Sequence, residues 1–243
     1  MGKNRGNLFR AAAALALFIV LVIQAYRIED SRTEIRVACV GDSITYGSGI
    51  RVRDRDSYPR VLQKLLGHDY QVQNFGVSGR TAMWMSNKPY VKEQMYRNSL
   101  EFEPDIVVLK FGTNDSKWYN WQGAEVFKAQ YRELIESYQK LASQPRIYLC
   151  TPASAYYVDG RMRGKMKYDI EGLVVRREVV PAVVELADEM QLGLIDIHKV
   201  TMGHPEWFER DGIHPNEDGA RAIAEEVGRV LKEDEESIKF PKK

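Results

Sequence analysis

The sequence has little of what builds metal, redox or nucleotide sites. Among 243 residues there are two cysteines, Cys39 and Cys150, and four histidines, and no C-x-x-C, H-E-x-x-H, P-loop or G-x-S-x-G pattern occurs. Local support for zinc, nucleotide and lipase-like α/β-hydrolase readings is therefore missing, and no metal or cofactor is expected. A surplus of one charge sign is missing too. The formal net charge is +1, and the first 26 residues hold Lys3, Arg5 and Arg10 with no acid, leaving 32 basic and 34 acidic residues beyond them. Arg51, Arg53 and Arg55 alternate with Asp54 and Asp56, the pattern of a solvated loop, so no nucleic-acid partner is expected. There is no internal repeat.

Long apolar runs are confined to the amino terminus, where a basic start precedes thirteen apolar residues, Ala11 to Ile23. The residues between Arg10 and Arg27 would span roughly 24 Å as a helix, short of the ~30 Å hydrocarbon core. That length favours a signal peptide, although Ile23-Gln24-Ala25 matches the small-x-small cleavage pattern poorly and arginines at both ends could stretch a short anchor. Residues 1–26 are read as a signal peptide or membrane anchor, with membrane contact through residues 8–26, and residues 27–34 as a linker. The basic flank on the amino side predicts export, leaving the protein secreted or anchored with its main domain outside the cytoplasm.

The remainder alternates strand and helix patterns. The stretch from Ile35 reads as a buried strand with the apolar run Val37 to Val40, ended by Gly41 and Asp42, and Tyr70 to Phe75, Ile106 to Leu109, RIYLCTP ending at Pro152 and Leu192 to Ile197 supply four more. Helices are predicted from Ser57, read as a cap, to Leu66, over Val91 to Phe102, over Val126 to Leu141, over Ile170 to Met190 with Pro181 kinking or splitting it, and over Gly219 to Leu231, capped by Asn216. Ala153 to Lys167 reads as a long surface loop near the carboxyl edge of the sheet. The fold class is α/β: a three-layer α/β/α sandwich whose five-stranded parallel sheet has the flavodoxin-like order 2-1-3-4-5, spanning 35–232, with a charged tail at 233–243 that should fray. In that order Cys39 and Cys150 stand two strand steps apart, about 9.6 Å, where a disulfide needs about 5.5 Å between Cα atoms, so two buried free thiols are expected.

Open parallel sheets bind ligands beyond the carboxyl ends of their strands, and four of the predicted loops at that edge carry acyl-transfer chemistry. Ser43, directly after the first strand, is the candidate nucleophile and needs a base. His214 is the candidate base, and Asp211, three residues earlier, could hold its other ring nitrogen. The backbone N–H groups of Ser43 and Gly79 and the side-chain amide of Asn114 are candidate oxyanion donors. Trp84, Tyr90, Trp118 and Tyr119, with Trp121, follow the second and third blocks and are candidate substrate contacts, although aromatics there serve core packing as often. Asp42 and Asp115 are read as loop-holding residues, Asp196 as a cap, and His198 as structural.

The blocks GDSIT, NFGVSGRT, GTND and DGIHP resemble the SGNH, or GDSL-type, hydrolases in type and order, from Ile35 to about Leu231. The resemblance implies the triad Ser43, Asp211 and His214 and the oxyanion set Ser43, Gly79 and Asn114. SGRT, NKPY, GTNDSKWYNW and LCTP are similar to the family's carbohydrate O-acetylesterases. A serine esterase removing a small acyl group, acetyl first, from a glycan or other small ester is thus expected. The alternatives are a lysophospholipase or thioesterase, a glycan O-acetyltransferase using the same triad, and, least favoured, a non-catalytic glycan-binding module. Oligomeric state is not legible.

Overall fold

In the first strand, β1 (Ile35–Gly41), successive side chains alternate between two apolar layers, because strand side chains point to opposite faces. In the computed structural model, which describes residues 34–156 and 167–239 and the isolated positions 15, 17 and 18, Val37 and Cys39 join one buried cluster while Ala38 and Val40 join the other. The same division runs through β2 (Tyr70–Gly76), β3 (Ile106–Lys110), β4 (Arg146–Cys150) and β5 (Gly193–Ile195). All neighbouring strands pair in parallel, in the order β2-β1-β3-β4-β5. A sheet buried on both faces and crossed by helices is the α/β sandwich expected. Two compact units divide the chain, Met1–Glu34 and Ile35–Lys243, and the second carries this fold. Apart from the three isolated positions, the apolar amino-terminal run lies outside the described residues, as does most of the loop after Ala153. No helix among the described residues is long and apolar enough to cross a membrane.

The helices follow in chain order as α1 (Ser43–Tyr46), α2 (Arg53–Asp56), α3 (Tyr58–Leu66), α4 (Gln94–Glu101), α5 (Ala124–Gln139), α6 (Gly172–Val174), α7 (Val180–Glu189), α8 (Ile197–Thr201) and α9 (Glu217–Lys239). Leu62 and Leu66 of α3 with Ala224, Val227 and Leu231 of α9 cover one face; Phe127, Tyr131, Ile135 and Tyr138 of α5 with Val183 and Leu186 of α7 cover the other. Cys39 and Cys150 are free and buried, and burial pushes the Cys39 thiol up to about 12, which leaves it protonated and inert.

Several boundaries differ from the sequence expectation, each for a local reason. Ser57 stands at the amino end of α3 but makes no capping bond, and its buried Oγ has no hydrogen-bond partner among the described residues. The predicted Val91–Phe102 helix is interrupted at Glu93, whose extended backbone separates a 3₁₀ turn, Tyr90–Lys92, from α4. Pro181 does not open a loop: it takes an early position of α7 behind one π-turn, Val175–Val179, which absorbs the missing N–H. Asn216 does cap α9, its Oδ1 accepting from the N–H groups of Asp218 and Gly219 at 3.1 Å each. The helix then runs on to Lys239, past the end expected at Leu231.

Candidate active site

Ser43 is placed by packing of backbone on backbone. Asp42 leaves β1 in an extended conformation and its Oδ1 accepts the Ile44 N–H at 2.9 Å, capping the single turn α1 that Gly47 closes in the left-handed region. Gly41 and Gly76 lie side by side at the ends of β1 and β2. A side chain on Gly41 would collide with Thr45 Oγ1 and the Lys110 carbonyl, and one on Gly76 with the backbone of Thr45 and Tyr46. Two bare glycines thus let α1 settle on the strand ends. Asn74 stitches the joint, donating to the Thr45 carbonyl at 2.8 Å and accepting from the Gly76 N–H at 2.9 Å.

The loop before α9 brings the other two groups. Asp211 Oδ1 accepts the backbone N–H groups of Ile213 and His214, both at 2.9 Å, while its Oδ2 stands 2.7 Å from His214 Nδ1. His214 Nε2 in turn lies 2.8 Å from Ser43 Oγ. Burial pushes the Asp211 carboxyl up, but the hydrogen bonds from the His214 ring and from the two backbone N–H groups outweigh it, and the group sits below its ordinary value. An ionised carboxylate only accepts, so Nδ1 carries the ring proton and Nε2 is left to accept from the Ser43 hydroxyl. That is the geometry a serine needs to lose its proton as it attacks a carbonyl.

Gly79 and Asn114 line the same cleft as Ser43, Asp211 and His214, a concavity of about 540 Å³. Gly79 has φ +80°, a conformation glycine takes without strain. Asn114 Nδ2 donates to the Arg80 carbonyl at 3.1 Å, which ties the third block to the second. Beneath them Asp115 accepts the Met83 N–H on Oδ1 and the Gly112 N–H on Oδ2, both at 3.0 Å. Asp115 is fully buried, and desolvation raises its carboxyl to about 7 against the lowering effect of those bonds.

The aromatic expectations fare differently. Tyr90 is a correction: it is fully buried, its hydroxyl donates to the Phe75 carbonyl at 2.7 Å, and its ring packs on Phe111 and Tyr96, so it belongs to the core. Trp84, Trp118 and Tyr119 are exposed but do not line the cleft, and Trp121 packs on Phe127 and bonds Glu178. Among the described residues the aromatic side chain that does line it is Tyr168, edge-on to the His214 ring at 5.7 Å and held, with Asp169, at positive φ. Its position after a long aperiodic loop gave no period from which to place it. Asp196 caps α8 through the Lys199 N–H and accepts from Thr151 Oγ1, away from His214.

Sequence reasoning also missed Lys110 and Asn120. Lys110 is buried at the end of β3 and donates to both Asp42 carboxylate oxygens, at 3.2 and 3.3 Å, so a compensated ion pair lies under the serine turn. Asn120 Nδ2 donates to the Asn114 carbonyl at 3.0 Å and holds that loop from behind. Among the described residues no group of three His, Cys, Asp or Glu side chains is placed to share a metal ion.

With this geometry in hand, comparison with known proteins is decisive for the family. Residues 39–222 match the GDSL-like Lipase/Acylhydrolase family model. The chain belongs to that family. An acetylxylan esterase of Xylanibacter ruminicola is 38% identical over 215 residues, 82% of this chain and 43% of that protein. A rice protein described as the GDSL esterase/lipase WDL1 is 24% identical over 66% of this chain and 64% of its own length. The chain thus spans about half the length of the curated relatives it matches. In fold it is similar to an aryl esterase of M. smegmatis, with TM-score 0.68, 20% identity and coverage of 82% and 99% of the two chains. A carbohydrate acetylesterase family member from Sinorhizobium meliloti gives TM-score 0.63, 24% identity and coverage of 82% and 98%.

Proposed function

We propose that this family member is a serine acetylesterase acting on O-acetylated carbohydrate. The observation that carries the reading is the unbroken relay from Ser43 Oγ to His214 Nε2 at 2.8 Å and from Nδ1 to Asp211 Oδ2 at 2.7 Å. In this reading Ser43 attacks the acetyl carbonyl while His214 takes its proton, and Asp211 holds the tautomer and stabilises the imidazolium. The oxyanion is met by the N–H groups of Ser43 and Gly79 and the Asn114 amide. Collapse of the tetrahedral species expels the sugar hydroxyl with the proton from His214, and water, activated by the same histidine, releases acetate.

A small acyl group is supported by the cleft itself, whose aliphatic side chains among the described residues are Ile170 and Ile213. A sugar is supported by Tyr168, which offers an aromatic ring beside His214, and by the names of the acetylxylan esterase and carbohydrate acetylesterase relatives. Export, proposed from the basic and apolar amino terminus, would put this activity outside the cytoplasm. Ser43→Ala should abolish acetate release from acetylated xylan and from p-nitrophenyl acetate with the circular dichroism spectrum unchanged, since one hydroxyl and no core volume is removed. Wild-type turnover in that variant would refute the mechanism.

A further inference from the structure

The cleft contains two cations that the proposed chemistry does not use, and the fold brings them together at a cost. Lys88 comes from the loop after β2 and Lys117 from the loop after β3, and both line the cleft. The two loops are locked by a reciprocal amide pair: the Asn87 N–H donates to Asn120 Oδ1 and Asn120 Nδ2 donates to Asn87 Oδ1, each at 3.1 Å. The Lys88 carbonyl is further fixed by the Thr81 N–H and hydroxyl, each at 3.2 Å. The Lys88 stem passes over Gly79, its Cδ 3.9 Å from where a side chain on that glycine would begin.

Neither lysine forms an ion pair among the described residues, although pairing is the rule nearby. Arg80, in the same loop as Lys88, is matched by Glu93 at 2.9 Å, and Lys110 by Asp42. Lys117 is held below its ordinary pKa by burial and by the like charge of Lys88, with Asp169, Asp42 and Asp115 pulling weakly the other way. Arg210 and Glu209 also line the cleft. Unpaired like charges held side by side at the mouth of a site are stabilised when an anion binds between them.

We propose that Lys88 and Lys117 form a carboxylate subsite, so that the sugar carrying the acetyl group is an acidic one, a uronic-acid type of residue. This rests on the acetylesterase reading of Ser43. The anionic group would sit near Gly79, over which the Lys88 stem passes, and orient the sugar.

The test compares kcat/KM of the full-length chain for a mono-O-acetylated methyl glucuronoside with that for the matched mono-O-acetylated methyl glucoside, which differ in one carboxylate. The acidic ester should be preferred by about tenfold at low salt, two partly exposed charge contacts being worth about that much together, and the preference should shrink towards unity at 0.3 M NaCl. In Lys88→Met/Lys117→Met the ratio of the two constants should fall about tenfold, carried by KM for the acidic ester. A ratio is independent of how much of the variant folds, and Lys117→Glu, which should reverse the preference, supplies a second reading. An equal loss on both esters would assign the lysines to the oxyanion rather than to substrate charge and would overturn the proposal. So would a wild-type preference for the neutral sugar. Hydrolysis of both esters without preference would refute this subsite alone; hydrolysis of neither, nor of p-nitrophenyl acetate, would refute the esterase reading with it.

Discussion

The loops GTND and DGIHP are each built around a buried aspartate that accepts two backbone N–H bonds, yet the two carboxyls are driven in opposite directions. Asp211 accepts from Ile213, from His214 and from the His214 ring, and lies below its ordinary value. Asp115 accepts from Met83 and Gly112, and burial lifts it to about 7. Both use their oxygens to hold a turn. What separates them is surroundings: Asp211 faces a ring that can become a cation and keeps partial access to water, whereas Asp115 has neither. One local device therefore gives two results, a carboxylate kept ionised against the His214 ring and a bracket that fastens two loops.

The comparison can be broken most forcibly at its chemical end. Asp211→Asn should lower kcat by about 10⁴-fold on p-nitrophenyl acetate, because an amide in that place no longer holds the Nδ1–H tautomer. The same substitution at Asp115 should cost far less activity. Steady-state rates of the two variants side by side decide it, and equal losses would mean that Asp211 is also only a bracket.

Asn114→Ala should lower kcat by about 10²–10³-fold with little change in KM, the effect of losing one oxyanion donor. An unchanged kcat would remove Asn114 from the oxyanion hole and leave its bond to the Arg80 carbonyl as its whole role.

Asp115→Ala sharpens the structural end. It strands the buried N–H groups of Met83 and Gly112, at about 1–3 kcal/mol each, and should appear in urea unfolding as a lower midpoint. Activity should fall as a secondary effect, because Asn114 is next in the chain. A variant as stable as wild type would show that the two loops need no bracket.

In pH dependence the two aspartates have opposite signs. A lowered carboxyl contributes stability that is present at neutral pH and is lost as pH falls through its folded value, below about 4. A raised one does the reverse: the folded state holds its proton longer than the unfolded chain, so stability falls as pH rises from about 4 towards 7. The stability of wild type relative to Asp115→Asn should therefore decline across that window, measured by chemical denaturation at several pH values. A difference that is flat, or that grows with pH, would contradict the raised value.

Much of this is legible in the amino-acid sequence. Period-2 burial and short apolar runs set the strands, and alternation with amphipathic helices set a parallel sheet, because local sterics and one-dimensional spacing are enough to specify both. Ser43, Asn114, Asp211 and His214 were legible because each falls in a turn directly after or before such an element. The sequence by itself determined the fold class, a strand order expected from the flavodoxin-like pattern, and the candidate chemistry.

Only the tertiary structure decided the rest, and the reason in each case is contact between residues distant in the chain. A lysine at the end of an apolar strand gives no sign that it is buried until Asp42 is found against it. Tyr90 reads like any loop aromatic, but the Phe75 carbonyl and the Phe111 ring draw it into the core. Lys88 and Lys117 acquire meaning only when the Asn87–Asn120 pair sets their loops side by side, since the field of two charges depends on a distance that no spacing in the chain contains.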